Sequence, residues 1–519
     1  MDKIDTPKSE HKKFRSLADV KNFAISCLLD VHVFLFAFSV AITNITSMQI
    51  IQDKVCVNDL RLSPEICHNI EKRPGYSKQA DHLYRKATEF RMYEGIMIWI
   101  PSMMVTLFIG KLLDKYPQLL KVFFLAPLVG ITIHCFLVIY NAIYFELDYH
   151  HLYWAKLPFG LFGSTALLYS ASYTYVLRYT PKEFREIRFG MIDFAFNLGI
   201  TTSMAVGGSI LTVDPWFYPR LRNYIGVYGV SALGCILAIL WIIFVVQNST
   251  IQESPSTENG KEEKIMNDDK PSESIFQQTS AQKTEENSKF TPLKNIVQMV
   301  KTCAKKREDG NHIRLWWCLV CVCLSQICLY AEFSVVYQFV QKVYGWDAQY
   351  FSNLKTVVNL IPTFGAIIFP VILVNKMKLS DTTIGIIGSY SLISSCLIKG
   401  GFLFPVAFYI GEVASMFTEM MSISFRTIAA KLISFDEYGQ VFTVLSCMQS
   451  SAGMSSSLLF TGIFNNTINF YPGMVYHAVA LTMFMPYLVL IWIDLSGKRL
   501  ENRKRAAKAK QTIKLEQLN

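Results

Sequence analysis

Charge is what this chain has little of. Of its 519 residues only 17% are Asp, Glu, Lys or Arg, while 51% are hydrophobic; soluble domains carry about 25% charged residues. An ordinary soluble domain is excluded. The chain also lacks a phosphate-binding G-x-x-x-x-G-K-S/T loop, a dinucleotide-type G-x-G-x-x-G, an H-E-x-x-H helix and a G-x-S-x-G elbow. Nothing therefore supports an ATP-driven pump, a metalloprotease or a hydrolase, and no enzyme activity is expected. No A-x-A-like cleavage site follows the first apolar run, so the polar, basic start from Met1 to Lys21 reads as a cytoplasmic tail before a signal anchor. Twelve cysteines are present, yet the C-x-x-C of Cys318 and Cys321 has no accompanying zinc-type ligand set, and no metal is expected. The net charge of +10 sits at the edges of apolar runs, where membrane topology explains it without a nucleic-acid partner.

What is present is a series of about twelve apolar runs long enough to cross a bilayer as helices. They lie near Phe23–Ile51, Tyr93–Leu113, Leu120–Tyr144, Leu152–Leu177, Phe189–Leu211, Tyr224–Val246, Ile313–Gln341, Tyr350–Asn375, Thr382–Ile398, Phe402–Lys431, Val441–Phe464 and Tyr471–Leu495. Lysines and arginines crowd the short 2–3, 4–5 and 8–9 connections and the C-terminal tail, which predicts cytoplasmic termini. The expected organisation is an N-terminal tail (1–22), a six-helix half (23–246) with a large outer loop (52–92), and a cytoplasmic linker (247–312). A second six-helix half (313–495) and a basic tail (496–519) follow. Within the linker, Gln247–Asn287 is too polar to fold, and an amphipathic helix is predicted from Thr291-Pro292 onward. In the outer loop Cys56 and Cys67 meet an oxidising compartment; a disulfide and two free thiols are both open.

The ionisable groups inside the runs are the candidate functional residues, because a charge at that depth needs a partner or a wet cavity. Arg185 and Arg188 open span five, Asp193 follows among apolar residues, and Gly199, Gly207 and Gly208 allow close helix approach. In span ten Glu412, Glu419 and Arg426 recur every seven residues, on nearly one face. Running in opposite directions, spans five and ten place Asp193 and Arg426 at comparable depth. Glu332 in span seven is a further cavity candidate. Asp30 and His32 in span one point to different sides of their helix.

Two segments then carry a resemblance: R-E-I-R-F-G-M-I-D from Arg185 to Asp193, and F-R-T-I-A-A-K-L-I-S-F-D-E-Y-G-Q-V-F from Phe425 to Phe442. With G-I-F-N-N-T-I-N-F-Y-P-G at Gly462–Gly473, the C-x(10)-C outer loop and the Gly345-Trp346-Asp347 turn, the chain resembles solute carrier family 46, the proton-coupled folate transporter and its relatives, within the major facilitator superfamily. The resemblance implies an all-α fold of two six-helix halves around a cavity lined by helices 1, 4, 7 and 10. It implies proton coupling at Asp193, and proton and substrate binding at Arg426. Of the family's gating motif D-x-x-G-R-R in the 2–3 loop only Asp114 remains; its span-four acid is Ser164 here, and its span-seven histidine falls near Cys328.

The expected function is secondary active transport by alternating access, a proton symport of a small organic anion or folate-like solute. Arg426, Glu419 and Glu332 would contact the substrate, Asp193 would carry the proton, and Asp114 would gate. No cofactor beyond the coupling proton is expected. The partners are the solute and the lipids of a plasma or endolysosomal membrane. The alternative is a receptor or scaffold that keeps the fold and signals through Gln247–Asn287.

Overall fold

A computed structural model describes residues 17–115, 119–180, 185–218, 220–246, 301–307, 310–370, 372–373, 377–433 and 438–516. The Gln247–Asn287 segment and the start of the helix expected at Thr291 lie outside them. No strand occurs among the described residues.

The apolar runs fold as helices, since a buried or lipid-facing backbone must satisfy its own hydrogen bonds. The run expected as one span over Leu152–Leu177 is instead broken into His151–Trp154, Leu157–Leu161 and Ser164–Tyr179, with Gly163 at φ +87°. The first half contains α1 (Leu17–Ala41 and, past Ile42, Thr43–Lys54), α2 (Ser77–Lys115), α3 (Leu120–Ile143), α4 (Ser164–Tyr179), α5 (Arg185–Thr212) and α6 (Tyr224–Phe244). The second contains α7 (Asn311–Tyr344), α8 (Ala348–Pro370), α9 (Asp381–Gly401), α10 (Pro405–Ala414 and Thr418–Lys431), α11 (Tyr438–Thr467) and α12 (Met474–Glu516). Seven of them, α1, α3, α5, α6, α7, α9 and α12, are long and apolar enough to cross a membrane over their described residues. Of the others, α4 has 16 residues and α10 is interrupted by a 3-10 turn at Ser415–Phe417. Local chemistry sets several ends. The Asn223 side chain accepts the Gly226 N–H at 3.0 Å to start α6, Pro405 opens α10, and Gly345 ends α7 at φ +66°, in the left-handed region that glycine tolerates best.

Within the first half α1 packs on α5 and α6, and α3 on α6; within the second, α7 packs on α11 and α12, and α9 on α10 and α12. The halves meet along two seams, α2 with α11 and α5 with α8. Exchanging the halves (2 with 8, 5 with 11) converts one seam into the other, as a pseudo-two-fold arrangement requires. Small residues permit these approaches. A Cβ on Gly199 would lie 2.6 Å from the Phe34 carbonyl of α1, and one on Gly208 would collide with Ser352 of α8.

The end of the bundle bearing the Cys56–Cys67 disulfide, here the loop end, is held shut across the halves. There Cys56 and Cys67 are bonded with Cα atoms 5.9 Å apart, and Arg222 ties the loop down by donating to Asp53 at 3.1 Å and to the His68 carbonyl at 2.7 Å. Across the halves Tyr337 donates to Gln49 at 2.8 Å, Gln52 to Gln341 at 2.9 Å, Lys342 to Asp81 at 2.5 Å and Lys72 to Asp347 at 2.9 Å.

The Lys72–Asp347 pair lies outside the spans and has a defined pH window. Burial pushes the Asp347 carboxyl up, but the Tyr350 N–H and Lys72 outweigh it and hold the group below its ordinary range. The hydrogen bond to Asp347 holds Lys72 above its ordinary value. The acid's contribution is complete above its ordinary pKa of about 3.9 and is lost as pH falls through its lower paired value; the lysine's is lost only as pH rises through its raised value. The measurement is labelling from the loop end of an Asn44→Cys variant, on the cavity wall, divided by that of a fully exposed reference cysteine so that thiol ionisation cancels. This ratio should be flat between about pH 5 and pH 8, and Asp347→Asn should raise it by at most about fivefold, an exposed pair being worth under ~1 kcal/mol. A steep change within that window would place the closure elsewhere.

Candidate functional site

Besides the buried Arg222–Asp53 pair at the loop end, four groups of paired charges lie inside the bundle among the described residues. Asp193, two turns into α5, accepts from Arg426 Nη1 of α10 at 3.0 Å, with the side chains 26% and 28% exposed. This pair joins the two halves. Asp193 lies ~12 Å along α5 from Arg185, at eight residues of 1.5 Å each, which places the pair between the bundle centre and the termini end. Glu419, one heptad before Arg426, stands within electrostatic reach of both charges.

Above the pair, toward the loop end, is a cavity of about 140 Å3. Asn44 and Met48 of α1, Arg91 of α2, Met204 of α5, Glu332 and Gln338 of α7, Lys355 and Asn359 of α8, and Glu412 and Glu419 of α10 contribute to its wall. The bonds at the loop end close it on one side, and Asp193–Arg426 lies on the other.

On the second-half side of that cavity is a square of four charges. Lys355 reaches Glu332 at 2.6 Å and Glu412 at 2.8 Å; Lys399 reaches Glu332 at 3.0 Å and Glu412 at 2.7 Å. Two further groups lie in the first half. Glu94 binds Arg91 at 2.6 Å and Lys156 at 3.2 Å, while Arg188 forms a two-pronged bond with Asp30 at 2.8 and 2.9 Å. An unpaired charge in such surroundings costs several kcal/mol, which is why each ion here has a counter-ion.

Among the expected site residues, Asp193 and Arg426 meet, Glu419 lines the cavity next to them, and Glu332 lines it farther out. Glu412 lines the same cavity as Glu419 but takes different partners. Between them the 3-10 turn at Ser415–Phe417 advances ~120° per residue rather than ~100°, and Glu412 meets Lys355 and Lys399. Arg188 is not a headgroup-edge arginine but is fully buried on Asp30. His32 points its Nδ1 toward the Ala238 carbonyl at 3.4 Å, apart from Asp30. Asp114 lies in the last turn of α2, its side chain outside the described ones. Ser164 shares a 2.5 Å hydrogen bond with Ser102. Cys318 and Cys321 are buried, and no cluster able to hold a metal occurs among the described residues. The lysines 355 and 399 and the Arg91–Glu94–Lys156 group were not singled out from the sequence; a lone lysine inside the apolar run Tyr350–Asn375 was the available signal.

A family profile described as Major Facilitator Superfamily matches residues 95–457. The chain belongs to that superfamily. Among superfamily relatives it is similar to members of solute carrier family 46. It is 21% identical over 478 residues, covering 90% of this chain and 93% of the relative, to the chicken lysosomal proton-coupled steroid conjugate and bile acid symporter SLC46A3. It is 28% identical over 213 residues, 39% of each chain, to a probable peptidoglycan muropeptide transporter of Drosophila melanogaster. The human organic anion transporter MFSD10 (TETRAN) has the same fold at a TM-score of 0.59 and 11% identity, over 90% of this chain and 99% of that one. The xylose transporter XylE of E. coli, in a partially occluded inward-open conformation, superposes at 0.53 with 15% identity, over 91% and 98%. The chain is thus a multi-pass membrane transporter of a small solute and not an enzyme.

The square of charges sets a stability expectation. Lys399→Met leaves Glu412, 2% exposed, short of a cation and should cost about 3–5 kcal/mol, read as a lower thermal midpoint of the purified protein. Lys399→Met with Glu412→Gln should recover part of the loss. A wild-type midpoint for Lys399→Met alone would show that the square carries no stability.

Proposed function

We propose that this transporter is a proton-coupled symporter of small organic anions, with cytoplasmic termini and its loop end facing the acidic side of an endolysosomal or plasma membrane. The observation that carries the reading is the Asp193–Arg426 bond between the halves. With Asp193 ionised, Arg426 is neutralised internally and the halves are tied below the cavity. A proton on Asp193 removes that carboxylate's charge, and Arg426 then attracts an anion from the cavity past Glu419. Release of the anion and proton on the other side restores the pair. Proton and anion thus each favour the other's binding, as coupled transport requires.

The relatives support the cargo class. The steroid conjugates, bile acids and muropeptides in the names of the symporters and transporter above, and the organic anions of the structural neighbour, all offer an acid group to a guanidinium, which binds carboxylate and sulfate in a two-pronged way. Glu332 and Glu419 would shape the cavity, and Asp114 would contribute to the gate on the cytoplasmic side.

The test is uptake of cholate or estrone sulfate into proteoliposomes with and without a proton gradient. Asp193→Asn should abolish stimulation by the gradient while leaving exchange between preloaded and external substrate. Arg426→Lys, which keeps the charge but loses the planar fork, should raise the half-saturating concentration by about tenfold. A wild-type pH profile in Asp193→Asn would contradict proton coupling at this position.

A further inference from the structure

The square of charges in the second half is built unevenly. Lys399 is 1% exposed and Glu412 2%, Lys355 7%, but Glu332 is 28% exposed, on the cavity wall. The ammonium groups are further held over aromatic rings, Lys399 over Phe408 at 5.2 Å and Tyr476 at 5.9 Å, and Lys355 over Phe408 at 6.0 Å. Two cations, one acid and two rings are therefore fixed, while the second acid stands at the end of a flexible stem facing the cavity.

We propose that Lys355 and Lys399 form an anion-binding subsite for the carboxylate or sulfate head of the transported solute, and that Glu332 occupies it in the empty protein as a displaceable internal counter-ion. This rests on the reading of the chain as an organic-anion transporter and adds a second anchoring point to it.

The charge count carries the argument. Two buried lysines need two anions, and Glu412 of α10 supplies one that cannot leave. The other position is filled by Glu332 of α7 through one oxygen, Oε1, which meets both lysines at 2.6 and 3.0 Å. An incoming carboxylate or sulfate has the same charge and the same oxygen geometry, so it can replace Glu332 on the lysines without unpairing either. The Glu332 carboxylate would turn into the cavity. The cavity's 140 Å3 is small beside the ~300–1,000 Å3 of whole-ligand pockets and suits an acid head group better than a complete solute. The other titratable groups nearby do not compete for the lysines. Arg91 is held by Glu94 at 2.6 Å, Glu419 lies lower on the cavity wall toward Arg426, and Cys328, Cys396 and Tyr476 border a small adjoining void behind Glu332. All four members of the square belong to the second half, so the subsite would travel with that half, whereas Asp193–Arg426 is made and broken between halves.

The probes are cholate and its uncharged methyl ester, bound at equilibrium to the purified full-length protein in nanodiscs at one neutral pH with no gradient. Glu332→Gln removes the internal competitor and should lower the cholate Kd about tenfold, the scale of one charge-assisted hydrogen bond. The charge-balanced double variant Lys355→Gln with Glu332→Gln leaves one lysine against Glu412, is the safer variant to fold, and should bind cholate about tenfold more weakly than wild type. The methyl ester should respond to neither change. An unchanged or higher Kd in Glu332→Gln overturns the subsite, as does wild-type affinity in the double variant, a methyl ester that follows cholate, or absence of cholate binding to both wild type and Glu332→Gln. Tightening in Glu332→Gln without proton-driven uptake would keep the subsite and remove proton coupling; coupled uptake with an affinity indifferent to Glu332 would do the reverse.

Discussion

The arrangement of this transporter follows from one constraint: a charge within the bundle must have a counter-charge within reach. Asp193 and Arg426 satisfy it across the two halves, at 3.0 Å. Either charge alone would leave its partner exposed to the full desolvation cost, so the halves are held together there for as long as both are ionised. A bond made between moving bodies, and dissolved by a proton or by a competing anion, is the element that alternating access needs.

The remaining buried charges divide by position. Arg188–Asp30, Arg91–Glu94–Lys156 and Arg222–Asp53 join elements within the first half, and the Lys355–Lys399–Glu332–Glu412 square joins helices within the second. Bonds inside a half make it a rigid body. The seams between halves also use glycine and serine contacts such as Gly208 on Ser352, the neutral Gln52–Gln341 bond, the exposed Lys72–Asp347 pair and the half-buried Lys342–Asp81 pair at the loop end. The neutral and exposed bonds are individually weak, so parting the halves at the loop end costs chiefly the Lys342–Asp81 pair, while each half keeps its own buried pairs.

Much of this was legible in the sequence, for identifiable reasons. Apolar run length gives most of the helices, though not the breaks in Leu152–Leu177, and opposite running directions put Asp193 and Arg426 at one depth, where they meet. Glu412 and Glu419 line one cavity, as their heptad spacing predicts, but the 3-10 turn between them, invisible in composition, and the two lysines that bind Glu412 could not be read from that spacing. Lys399 reads as the boundary of span nine when only run length is considered, yet it is buried within α9 between two glutamates. Arg188 reads equally well as an inner-edge cation, and only the position of Asp30 on a neighbouring helix makes it a buried one. Pairing partners far apart in the chain are fixed by helix rotation, which a single sequence leaves open.

The central claim is that protonation of Asp193 releases the halves from one another below the cavity. It is tested most directly by pulsed electron-spin distance measurement between labels at the termini ends of α5 and α10, in lipid, as a function of pH. The expected result is a single short distance at neutral pH, a longer population that grows on acidification, and that same longer population at every pH in Asp193→Asn. A distance distribution that is unchanged by pH and identical in Asp193→Asn would contradict the claim.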